Sequence, residues 1–155
     1  MGKIERRTEE LLALPYWLVD VLPEQVPAEG PGRFFTVEER LLAEAERRAG
    51  QFCRLLLKLY CYCDLTAAGR AGALRNPPPA VLEGAVRRCV LDRRRSLRLY
   101  VDGGQALITL CGDDLHMTVY GVDSRLRRLL GALAASEGLF FRPGPGQMTA
   151  DPEEN

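Results

Sequence analysis

The chain is short of histidine and lysine, and of charge in either direction. It has one histidine (His116), two lysines (Lys3 and Lys58), and 21 basic residues balanced by 21 acidic ones over 155 positions. A single imidazole leaves little material for acid–base relays or for nitrogen ligation of a metal. Zero net charge removes a global electrostatic drive toward nucleic acid or a membrane surface. No apolar run approaches the roughly 18 residues needed to span a bilayer. The opening Met1-Gly2-Lys3-Ile4-Glu5-Arg6-Arg7 is charged and lacks an apolar core, so no secretory leader is expected. Arg6 also stands where a myristoylation motif wants Ser or Thr. A Gly-rich phosphate loop, Gly-x-Ser-x-Gly and His-Glu-x-x-His are all missing. The expectation is a cytoplasmic protein with no membrane span, no cofactor and no metal.

The five cysteines are Cys53, Cys61, Cys63, Cys89 and Cys111. An odd number on apolar segments fits reduced thiols. Free cysteine in such runs behaves as a small core residue. Cys61 and Cys63 lack zinc-site spacing, and on a helix they would lie about 160° apart.

What is present suits one globular domain. Hydrophobic residues make up 46% and charged ones 27% of the chain, and a chain of this length can bury a core without staples. Residues 4–13 read as a short helix with Ile4, Leu11 and Leu12 on its apolar side. Tyr16 to Leu22 is apolar and aromatic, and periodicity leaves strand and helical turn both open there. Thr36 and Glu39 form a capping-box pattern, with Phe35 placed to staple onto the first turn. An apolar stripe then runs from Leu41 to Cys63, predicting one helix about 40 Å long. Residues 64–79, with Gly69, Gly72 and three consecutive prolines, read as a connection. A second helix is expected over 80–91.

Segments 96–101, 105–111 and 115–121 alternate like three strands joined by tight turns. Asp123 or Ser124 starts a third helix that ends near Gly138. Leu139-Phe140-Phe141 then returns as a fourth strand. The expected fold is α+β: a three- to four-stranded antiparallel meander (β-β-β-α-β, residues 96–142) covered by helices, with a helical half over about 1–91. Residues 1–142 form the domain, and 143–155 read as a disordered tail.

Four features carry candidate chemistry. Gly112-Asp113-Asp114 looks like the metal-binding turn of polymerase palm domains over three residues. A two-metal site needs a further carboxylate, and Asp102 would lie roughly 20 Å away along the strand. A hairpin turn, with Arg93, Arg94 and Arg95 as countercharge, is the reading retained. The second feature is a basic patch. Arg87, Arg88, Arg93, Arg94, Arg95 and Arg98 against Asp92 give five net positive charges in residues 87–98, a candidate for phosphate or an acidic partner. No RNA- or DNA-binding motif accompanies it. The third is a strand face bearing Arg98, Tyr100, His116, Thr118 and Tyr120, opposite the Leu/Val/Met face. The fourth is a Cys111–His116 pair, which lacks an orienting group or an oxyanion hole.

The expected function is therefore interaction without catalysis. The partner would be a protein or a second copy of the chain, as in a homodimer. Nucleic-acid or acidic-partner binding through Arg87–Arg98 is the alternative. An enzyme centred on His116 comes last.

Overall fold

The computed structural model describes residues 3–27, 32–69 and 72–145. In chain order these form α1 (Lys3–Leu12), β1 (Tyr16–Asp20), α2 (Arg33–Ala43), α3 (Ala45–Tyr60), β2 (Leu65–Gly69) and β3 (Gly72–Arg75). Then follow α4 (Pro79–Leu91), β4 (Ser96–Val101), β5 (Ala106–Cys111), β6 (His116–Tyr120), α5 (Ser124–Ser136) and β7 (Phe140–Pro143). The class is α+β, as expected, and β4-β5-β6-α5-β7 is the expected C-terminal order. The sheet is larger than the expected meander. It has seven strands in the order β3-β2-β4-β5-β6-β1-β7, and every pairing is antiparallel. No helix among the described residues is long and apolar enough to cross a membrane.

Three strands come from the half expected to be helical. Tyr16–Asp20 is settled as a strand by pairing on both sides, with β6 and with β7. Residues 65–75 form a hairpin instead of a connection, held onto β4 through β2. Its base is tied by side chains. Asn76 Oδ1 accepts from the Leu65 N–H, and Asp102 Oδ1 accepts from the Asp64 N–H, each at 3.0 Å.

The expected long helix is two helices, broken at Glu44 (φ −83°, ψ 45°). The expected capping box is also absent. Helix α2 starts at Arg33, ahead of Thr36, and Phe35 is 71% exposed, so it staples nothing. Asp123 does cap α5, accepting from the Leu126 N–H at 2.8 Å. The ordered chain continues past residue 142, because Pro143 belongs to β7 and the Gly144 N–H bonds to Tyr16 O at 2.9 Å. The rest of the expected tail, residues 146–155, lies outside the described residues.

Helices α3, α4 and α5 cover one sheet face. Phe52, Leu55, Leu56, Leu59, Val86, Val90 and Leu130 pack there with Leu99, Ile108, Leu110, Met117 and Val119. Each fully buried aliphatic side chain contributes about 1.5–3 kcal/mol. Central strand β5 is buried on both sides, through Ile108 on this face and Leu107 on the other. Trp17 joins the rim of this core, 4.8 Å from the Phe141 ring and under the Arg127 guanidinium.

On the opposite face lies α1. Its Leu11 packs on Tyr100 and Leu107. Thr8 Oγ1 and Tyr100 OH share a buried hydrogen bond of 2.6 Å, and Arg7 Nε donates to Gly104 O at 2.8 Å. These contacts fix α1 over one end of the face, beside the β4–β5 turn.

A candidate binding face beside helix α1

Strand pairing arranges the face under α1 in three rows. Register places Tyr100, Leu107, Tyr120 and Tyr16 opposite one another. The next row is Arg98, Thr109, Thr118, Leu18 and Arg142. The third holds Ser96 beside Cys111, and Asp20 between His116 and Phe140. Side chains in a row are separated by about 4.8 Å per strand. Helix α1 sits on the first row. Beyond it, Arg98 is exposed and Thr109, Thr118, Cys111 and His116 are half-buried.

The five residues expected to share a face do share it, but not one environment. Tyr100 is only 5% exposed and is locked to Thr8, so it belongs to the interior. Tyr120 is half-buried against Tyr16, with ring centroids 5.7 Å apart. Burial raises its phenol pKa, and Tyr16 adds to the shift. Arg98 and Thr118 stand in the middle row, the first exposed and the second half-buried, while Leu18 in the same row is buried. His116 stands in the far row, near Asp114.

The sequence reading missed a buried ion pair in this face. Arg142 Nη2 bonds to Asp20 Oδ2, and both side chains are largely shielded. Asp20 also accepts from the Leu22 N–H at 3.1 Å. The signal was an aspartate inside the apolar run Tyr16-Trp17-Leu18-Val19-Asp20-Val21-Leu22. The pair links edge strand β7 to β1.

The basic patch is divided by its own fold. Arg87 bonds to Glu46, Arg93 bonds to both oxygens of Glu39, and Arg95 bonds to Asp92 at 3.1 Å. The Arg94 backbone N–H is taken by Asp92 as well. Arg88, Arg94 and Arg98 are exposed and form no ion pair among the described residues. Arg98 alone of the six projects from the sheet face.

Among the described residues Asp113 and Asp114 form no ion pair with the arginines expected to offset them, although the Asp113 charge does act on Arg93. One donor atom from each of Cys111, Asp113 and Asp114 lies within 4.8 Å of the others. Burial raises the Asp114 pKa, opposed by His116 and aided by Asp113. Burial also raises the Cys111 thiol pKa, and Asp114 and Asp113 push it further. Carboxylates beside a thiol disfavour the thiolate, which is the nucleophilic form. The arrangement therefore opposes a Cys111–His116 nucleophile. Burial raises the Cys53 thiol to about 11 and the Cys89 thiol to about 12, which suits inert core residues.

Gly112 has a packing role. A Cβ there would fall 2.3 Å from both Cys89 O and Asp92 O at the end of α4. The Gly112 N–H also bonds to Arg95 O at 3.0 Å. The glycine of this turn is thus demanded by close approach of the α4 backbone. Compared with protein-family models, with curated proteins and with solved structures, the chain matches none.

Proposed function

We propose that the protein works by binding another protein chain through the Arg98–Thr109–Thr118 row, and not by catalysis. The observation that carries this reading is the row itself. Helix α1 shields the neighbouring row with Leu11, while the middle row keeps an exposed cation, without an ion pair among the described residues, beside two half-buried threonines. Arg98 can take a carboxylate from a partner, and the threonines can donate or accept to its backbone or amides. Rows of this kind on a rigid sheet are preorganised, which limits the entropy lost on docking. Phosphate recognition at Arg87–Arg95 is the weaker reading, because three of those arginines are satisfied by Glu46, Glu39 and Asp92. A reducing, cytoplasmic setting belongs to this proposal and rests on the free cysteines.

The test compares tagged wild-type chain with Arg98→Glu/Thr118→Glu and with Arg88→Glu, which alters the helical side. Sedimentation velocity over a concentration series reads self-association, and quantitative mass spectrometry reads co-purifying proteins. The expected result is one assembly, with self or with a defined protein, lost in the double variant and kept in Arg88→Glu. An assembly unchanged by the double variant, or absent from wild type, overturns the proposal.

A further inference from the structure

We infer that the pocket where α2 meets α3 binds a small organic carboxylate through Arg48. Arg48 is 3% exposed and has no ion-pair partner among the described residues. Its Nη1 donates to Leu41 O at 3.3 Å and Leu42 O at 3.4 Å, and its Nη2 to Gly112 O at 3.5 Å. All three are at the long end of hydrogen bonding. Its Nε has no partner at all. A guanidinium stays charged in proteins, and a buried charge normally finds a countercharge. The carbonyls at the end of α2 offer partial charges only.

The cavity has the features of an anion site with an apolar wall. Its volume is about 310 Å³, and Arg48 lines it together with Arg47, Gln51, Val21, Leu41 and Leu115. This falls at the lower end of small-molecule pockets. Arg47 and Arg48 stand in the first turn of α3, which has no side-chain cap, so the positive end of its dipole adds to their charge; the Arg48 N–H itself bonds to Glu44 O at 3.2 Å. Val21, Leu41 and Leu115 suit a short hydrocarbon body. Exposed Glu44 also borders the pocket. Its carboxylate repels further negative charge and so favours a monoanion over phosphate.

The site is separate from the sheet face, and either reading can fail without the other. The probes are hexanoate, its neutral isostere hexanamide, and inorganic phosphate, titrated into the full chain. Nitrogen-15 NMR follows the Arg48 Nε–H and the backbone amides of residues 45–48. Expected is saturable hexanoate binding with a roughly millimolar Kd that shifts these signals, and binding at least about tenfold weaker for hexanamide. Phosphate should not displace hexanoate. Arg47→Glu changes an exposed rim residue, and its own spectrum reports folding. It should weaken hexanoate by about tenfold or more. The inference is overturned if hexanoate leaves the Arg48 Nε–H unshifted, if hexanamide binds equally well, if phosphate displaces hexanoate, or if Arg47→Glu binds hexanoate as wild type does.

Discussion

Glu137, the residue that ends α5, holds two cations from α3: Arg54 at 2.7 Å and Lys58 at 2.8 Å. Burial raises its pKa, but the bonds from Lys58 and Arg54 outweigh that, and the net direction is downward. A carboxyl with a lowered folded pKa stabilises fully above its unfolded value, and the effect fades as pH falls through the folded value. Glu137→Gln should therefore weaken the protein at neutral pH, and the gap to wild type should close below about pH 4.3, the ordinary glutamate value. Urea unfolding from pH 3 to 7 checks this, and a gap independent of pH contradicts it. Two other ionised residues show how far side chains were legible. Arg48 follows the spacing of Ala45, Ala49 and Phe52, so it was a cation on an apolar stripe. Asp20 was a carboxylate in an apolar run. Both anomalies were readable in the sequence, but their distant partners, Gly112 for Arg48 and Arg142 for Asp20, were not.

Among the elements, those with strong local signals were the legible ones: α1, α4, α5, and the β4–β6 meander with its central strand. The hairpin of β2 and β3 was not. Leu65-Thr66-Ala67-Ala68-Gly69 and Gly72-Ala73-Leu74-Arg75 have little alternation, and β3 is exposed at every residue. They are strands because β4 offers an edge to pair with. The α2–α3 break was equally hidden. No proline or glycine marks Glu44, and the apolar stripe crosses it unbroken. Arg48 donates across the break to Leu41 O, which also accepts from the Glu44 N–H, and to Leu42 O, a compensation that no apolar pattern reports.

The turn between β5 and β6 gives the element-scale prediction. Gly112→Ala should lower stability by about 1–3 kcal/mol, since its Cβ meets fixed backbone. Asp113→Ala, at an exposed position, should stay within about 0.5 kcal/mol of wild type. Denaturant midpoints of the two variants test this. A harmless Gly112→Ala would contradict the packing role given to that glycine.

At the scale of the whole molecule, the fold leaves its two sheet faces unequal. One is sealed by three helices around the core. Among the described residues the other carries one short helix over one row, with polar residues beside it. The face was legible in the sequence because strand alternation alone sorts Arg98, Thr118 and His116 from Leu97, Leu99 and Met117. Helix α1 was not legible as its cover, because its docking depends on Thr8 and Leu11 reaching residues about 90 positions away. Exposed Arg98 with half-buried Thr109 and Thr118 is the basis of the proposed function. The most direct measurement places a photoreactive amino acid at Thr118, in the middle of that row, and another at Arg88 on the helical side. Both chains are irradiated purified and in cell extract. A discrete adduct from Thr118, abolished by Arg98→Glu and absent from Arg88, is the predicted result. No adduct at Thr118, or the same adducts from both positions, would contradict it.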